Sequence, residues 1–286
     1  MRTSSGHVAR GAVLAIAVVS MFGALAHADG EAKLLAPSGT LRVGIYPGSP
    51  TSMVTDAAGK PHGLAYDLGG ELANRLGVPI DYVRFQRVAD IVTAIHDGQV
   101  DFTVTNATPA RANEVSFSQP VLAIELGYLV PVNSPIGKIE DIDKPGVKIG
   151  VTKGSTSERT LPAKFKNATI VPAESVKIAI AMFGRGEIDL YATNKPTLFE
   201  MSDQMPGAKI LDGNWGAEHM AIAIPKGRES ALPLLNSFVA EEQSSGALDT
   251  IQQQAGLRGA TKANRAGPHR SIARVRAAGL PASRRG

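Results

Sequence analysis

The sequence predicts an α/β protein built as two similar lobes, and three observations lead there. The first is a phrase written twice. "IHDGQVDFTVTN" (95–106) and "FGRGEIDLYATN" (183–194) share Gly98/Gly186, Asp101/Asp189, Thr105/Thr193 and Asn106/Asn194, with apolar matches at Ile95/Phe183, Val100/Ile188 and Phe102/Leu190. The second is a shorter echo, "LRVGIYPG" (41–48) against "VKIGVTKG" (147–154), each a basic residue, alternating apolar residues and two glycines. The third is the order of elements around these echoes, strand–helix–strand–helix–strand in each half, which favours mostly parallel sheets. The similarity is too sparse for a solenoid and suits two lobes on one plan.

The two ends differ from the body. Residues 1–28 carry Arg2 and Arg10, an apolar run "GAVLAIAVVSMFGAL" and a small-residue "AHA" at 26–28, the layout of a cleaved secretory leader. A spanning anchor needs about 20 apolar residues, more than this run supplies. The chain has no cysteine, which excludes disulfides, a lipid-bearing cysteine and thiolate metal sites. The segment 262–286 holds seven Lys/Arg and no acid, with no apolar period, and reads as a disordered basic tail. The formal charge of +4 includes +7 from that tail and +2 from the leader, leaving −5 for 29–261. An acidic body argues against nucleic acid as a partner.

Taken in order, "LRVGI" reads as a buried strand. "GLAYDLGGELANRLG" (63–77) places Leu64, Leu68, Leu72 and Leu76 on one helical face, with Asp67 in the first turn and Gly77 as the stop. The adjacent Gly69-Gly70 costs this helix about 1 kcal/mol per glycine relative to alanine, and close packing against a neighbour would explain them. "PIDYVRF" (79–85) alternates as a strand, "DIVTAIHDG" (90–98) is a short helix, and "VDFTVTN" the next strand. The second half repeats the series with strands at 147–152, 168–173 and 188–193 and helices after Gly154-Ser155 and over 175–186. The apolar stretches 125–135 and 218–227 read as two crossings between lobes. Two amphipathic pieces within 230–256 return to the first lobe.

Ligands in parallel α/β sheets bind beyond the carboxyl ends of strands. Thr105, Asn106, Thr193 and Asn194 are therefore expected on the rims of a cleft, although the same residue types also suit an ordinary turn. Thr108-Pro109 opens a helix with a cap and a well-placed proline. Arg111 falls in its first turn, where the dipole disfavours a cation by ~0.3–1 kcal/mol. That placement points to a task such as capture of a carboxylate; a surface arginine beside Glu114 is the plainer alternative. Gly154, Ser155 and Thr156 form a helix start whose N–H groups and hydroxyls suit an anion, and with Arg111 they would clamp one carboxylate from two sides. No histidine pair has metal-ligand spacing, no G-x-S-x-G elbow is present, and Trp215 is expected to brace the second crossing.

The series "GLAYDLGGELANRLG", "IHDGQVDFTVTNATPARANEVSFSQP", "KIGVTKGST", "GRGEIDLYATN" and "SGALDTIQQQAG" resembles the extracellular solute-binding proteins of polar-amino-acid ABC importers, which are type II periplasmic binding proteins. The resemblance implies a two-lobe fold with two hinge strands: leader 1–28, first lobe 29–128 with its return at 221–258, second lobe 129–220, and tail 259–286. It implies a monomeric periplasmic receptor that binds an amino acid or related carboxylate and delivers it to an ABC permease, with no cofactor, metal or catalytic residue. Arg111 matches the family's carboxylate-gripping arginine, Thr156 with Ser155 the second-lobe helix start, and Tyr46 the aromatic that covers the ligand side chain. Asn194 departs from the family, which often has there an aspartate for the ligand's ammonium. Glu125 or Glu218, near the crossings, would restore an acid. The alternative is a periplasmic enzyme on the same fold, a cyclohexadienyl dehydratase-like lyase, with Glu125, Glu218 and His219 as candidates.

Overall fold

A computed structural model describes residues 30 and 32–262. The first lobe comprises β1 (Leu41–Ile45), a small hairpin of β2 (Val54–Thr55) and β3 (Pro61–His62), α1 (Leu64–Leu76), β4 (Ile80–Arg84), α2 (Val88–His96) and β5 (Thr103–Asn106). β1 pairs in parallel with β4, and the parallel Val43–Phe102 bridge sets β5 on its other side. After the short α3 (Pro109–Ala112), β6 (Val115–Val130) carries the chain into the second lobe. There the plan repeats with β7 (Lys148–Thr152), α4 (Thr156–Thr160), β8 (Thr169–Ala173), α5 (Val176–Gly184), β9 (Leu190–Asn194) and α6 (Lys195–Gln204). β7 lies between β8 and β9, parallel to both. β10 (Lys209–Ile210) pairs with β6, and β11 (Gly216–Pro225) returns antiparallel between β6 and β5. Helices α7 (Leu232–Ser245) and α8 (Ala247–Gln254) then cover the first lobe. β6 and β11 are the two hinge strands, so the architecture is the expected two-lobe type II plan.

The echoes have a shared physical basis. In each lobe the aspartate of the long phrase accepts a hydrogen bond from the first basic residue of the short one. Asp101 Oδ2 accepts from the Arg42 N–H at 3.1 Å, and Asp189 Oδ2 from the Lys148 N–H at 2.8 Å. The same pairs are tied in return by Asp101 N–H to Arg42 O and Asp189 N–H to Lys148 O, at 2.8 and 2.9 Å. Gly98 and Gly186 end their helices at φ 70° and 65°, a left-handed turn that glycine adopts without strain. Gly44 and Gly150 let a neighbour approach: a Cβ would sit 2.6 Å from Ile91 Cγ2 in one and 2.6 Å from Ile188 Cδ1 in the other. The anticipated packing at Gly69 is also present, since a Cβ there would meet Val43 Cγ2 at 2.9 Å.

Period-2 and period-3.6 patterns place the cores. The four leucines of α1 are all buried in the first lobe. In the second lobe, alternation along β6 and β9 sends Tyr128 and Leu190 to one face of the sheet and Leu129 and Tyr191 to the other. Trp215 braces the hinge as expected, donating Nε1–H to Gly127 O at 3.1 Å and packing on Tyr128.

Two differences from expectation stand out. β6 begins ten residues before the first predicted crossing, and register shifts in β11 at Met220/Ala221 and Ala221/Ala223 accommodate Pro120, which lacks a ladder N–H. The basic tail does not start free either: Ala260–Lys262 form β12 against Leu122–Ile124 of β6. The rest of the tail and the leader 1–28 lie outside the described residues. Among the described residues no helix is long and apolar enough to cross a membrane.

Candidate functional site

The carboxyl ends of β5 and β9 meet across one cleft, and the two Thr-Asn endings line it together with Glu218 of β11. Both asparagines are buried. Asn106 Oδ1 accepts the His219 N–H at 3.1 Å, and Asn194 Oδ1 accepts the Thr197 N–H at 3.1 Å as the cap of α6. Each amide oxygen is thereby committed to the backbone, which turns each amide nitrogen inward. Asn106 Nδ2 donates to Glu218 Oε1 at 3.4 Å and Asn194 Nδ2 to Glu218 Oε2 at 3.5 Å. Asn194 stands where the resemblance puts an aspartate for the ligand's ammonium; its oxygen is already used, and it acts as a donor to the nearby acid.

Arg111 reaches the same cleft from α3 and is only 4% exposed. Thr108 caps this helix by accepting the Arg111 N–H at 3.2 Å. The guanidinium is positioned through Nη1, which donates to Thr105 Oγ1 at 2.8 Å and to Asn106 O at 3.2 Å. Those bonds leave the Nε and Nη2 edge of the planar fork, the geometry that grips a carboxylate in two places. Burial pushes the Arg111 guanidinium below its usual value, and the charge of Glu218 acts against that shift. Burial likewise raises the Glu218 carboxyl above the ordinary range, opposed by Arg111 and by hydrogen bonds from Thr156, Asn194 and Asn106.

The second lobe contributes the start of α4. Ser155 and Glu158 form a capping box: Ser155 Oγ accepts the Glu158 N–H at 3.2 Å, and Glu158 Oε2 accepts the Gly154 N–H at 2.5 Å. Gly154 was expected among the ligand-binding groups, but its N–H is used by this box and it does not line the cleft. Its role is steric. At φ +73° it faces Ala89 of the first lobe, where a Cβ would lie 2.4 Å from the Ala89 Cβ. Thr108, similarly expected at the cleft, stands behind it as the α3 cap. Ser155 and Thr156 do line the cleft, as do Tyr46, Thr105, Asn106, Arg111 and Asn194. Thr156 Oγ1 also accepts from Asn106 Nδ2 at 3.2 Å, a bond between the lobes.

Other wall residues were not anticipated. Ser49, Thr51 and Thr197 form a buried hydroxyl chain, with Ser49 Oγ 2.9 Å from Thr51 Oγ1 and 2.8 Å from Thr197 Oγ1 across the lobes. Val88 and Val176 add apolar surface. The space enclosed, mouth included, is about 540 Å³, within the ~300–1,000 Å³ of small-molecule pockets. Glu125 lies elsewhere: it bonds Lys195 Nζ at 2.5 Å and Asn214 Nδ2 at 3.1 Å on the hinge. His219 points away and is exposed.

The profile of the bacterial extracellular solute-binding proteins, family 3, matches residues 41–257. The chain belongs to this family. The chain is 24% identical over 202 residues to the ABC transporter glutamine-binding protein GlnH of Bacillus subtilis (strain 168), spanning 69% of this chain and 74% of that one. It is 25% identical over 204 residues to a probable histidine-binding protein of Neisseria gonorrhoeae, spanning 68% and 75%. Among solved structures, the ancestral amino acid-binding protein AncCDT-1, a precursor of cyclohexadienyl dehydratase, superposes with a TM-score of 0.68 at 27% identity, covering 77% of this chain and 96% of that one. These relatives are named as binding proteins.

Proposed function

We propose that this family 3 protein captures a small carboxylate-bearing solute, an amino acid or close relative, between its lobes and delivers it to an ABC permease. It works as a monomer in the periplasm once the leader 1–28 is removed, with lobes spanning 29–128 plus 221–258 and 129–220. The observation that carries the reading is Arg111: a buried guanidinium with one edge satisfied and the other turned to a cleft walled by hydroxyls and amides. Arg111 takes the carboxylate first, and Tyr46, Thr105 and Asn106 complete the first-lobe face. Closure about β6 and β11 adds Ser155, Thr156 and Asn194, and the closed form is selected because only there does the solute touch both lobes.

Isothermal titration of the purified protein with amino acids tests the reading. Arg111→Ala is expected to cost about 2–5 kcal/mol of affinity, the range for losing one partner of a buried charge pair. Unchanged affinity would remove Arg111 from the site. The enzymatic alternative draws on the name of the AncCDT-1 relative and on Glu218 as an acid in the cleft. Incubation with prephenate or arogenate is expected to give binding or no response, without turnover.

A further inference from the structure

Glu218 is the second charge of the cleft, and its surroundings are incomplete. It is 9% exposed, and a carboxylate offers about four acceptor positions. Thr156 hydrogen-bonds it as well, but the two amide donors stand at 3.4 and 3.5 Å, the outer limit of hydrogen bonding, whereas a charge-assisted N–H bond closes to ~2.7–2.9 Å. Arg111 faces Glu218 across the cleft, and no ion pair joins the two among the described residues. A cation and an anion are thus held apart with room between them. The remaining walls are neutral: Tyr46, Ser49, Thr51, Val88, Val176 and Thr197. Outside that lining, Arg87 and Lys153 both pair with Glu174.

We infer that Glu218, on the hinge strand, receives the ammonium group of the solute, and that the site selects a zwitterion with a small uncharged side chain. The inference rests on the carboxylate reading of Arg111 given above. A solute with one negative and one positive end completes both buried groups. Arg111 and Glu218 are the charged residues that line the cleft. The side chain of a lysine, arginine, aspartate or glutamate would bring a third charge with no partner among the lining residues, with Arg159 adding further positive charge near Arg111. An unpaired buried charge is strongly disfavoured. A carboxylate lacking the amine would leave Glu218 unserved. The two asparagines that end the repeated phrases then have one joint task, which is to hold Glu218 in place from both lobes.

Calorimetry on the mature protein tests this with alanine, serine and threonine, with lysine, arginine, aspartate and glutamate, and with lactate, which lacks the amine. At least one small neutral amino acid should bind, with the charged ones and lactate weaker by on the order of 100-fold. Glu218→Gln should weaken the amino acid by on the order of 100-fold while leaving lactate nearly unchanged; Arg111→Ala should weaken both. The ligand-free Glu218→Gln protein should melt at or above the native temperature at neutral pH, because a buried charge has been removed. Tight binding of a charged amino acid, lactate equal to alanine, an indifferent Glu218→Gln variant, or one that melts well below native would each overturn the inference. Indifference to Arg111→Ala, or no response to any common amino acid, would instead overturn the reading on which it rests.

Discussion

Asp101 and Asp189 occupy the same place in two copies of one phrase, yet their settings differ. Asp189 is exposed, while Asp101 is fully buried and pairs with both Arg42 and Arg228 at 2.8 Å. Burial alone would raise the Asp101 carboxyl; the two arginines and the Arg42 N–H outweigh it and hold it below the usual range. A carboxyl depressed on folding adds stability that is present above its unfolded value and is lost as pH falls through the folded one. Asp101→Asn should therefore cost about 2–4 kcal/mol at neutral pH, given the two cations left without their anion. Its deficit should shrink in acid, as chemical denaturation at several pH values would read directly. Glu218 has the opposite sign. Its raised carboxyl penalises the ligand-free fold as pH rises from the unfolded value through the folded one, and binding of a solute whose ammonium meets the Glu218 anion should weaken on acidification. Arg111 supplies the facing positive charge, and the charge of Arg159 adds to the positive field around it.

Among the elements, the repeated strand–helix–strand series of both lobes was legible because its periods are clean and its ends carry glycine or a capping residue; α6, which Asn194 caps, was not read. Nor was β6. Ser116, Ser118 and Pro120 interrupt its alternation, and only pairing with β11 and β9 reveals one continuous strand. β12 was hidden within a basic, proline-bearing stretch whose composition outweighs three residues. At the site, Arg111 and the two asparagines could be read from the repeat and the unfavourable helix position. Ser49 and Thr197 could not, because their hydroxyls, 148 positions apart, meet only when the lobes dock. The repeated strands also carry a test. Gly150→Ala should cost about 1–3 kcal/mol, the usual penalty of overpacking, since its Cβ would lie 2.6 Å from Ile188 and 2.8 Å from Tyr191. A melting temperature within a degree of native would show that β9 yields more readily than its packing suggests.

At the scale of the molecule, the lobes are joined by two continuous strands and held together by contacts of unequal weight. The pair of Arg87 with Glu174 joins the lobes through a carboxylate that is largely open to water and that Lys153 of its own lobe also holds; such pairs contribute at most about 1 kcal/mol. Glu174→Ala should thus change affinity by less than about fivefold, with salt mimicking the effect on native protein. The hydroxyl contact of Ser49 with Thr197 and the amide contact of Asn106 with Thr156 lie inside and should hold their strength at high salt. A steep loss of affinity in Glu174→Ala would shift the weight of closure to the rim.

Where Gly154 meets Ala89 there is space for a hydrogen atom and nothing larger. The angle at which the lobes come to rest is therefore set by an end-stop in the backbone, while β6 and β11 merely guide the travel. A methyl at that point is a shim. In the Gly154→Ala protein, spin labels placed one on each lobe should report longer and more scattered separations than native, and bound solute should escape faster although every group that touches it is intact.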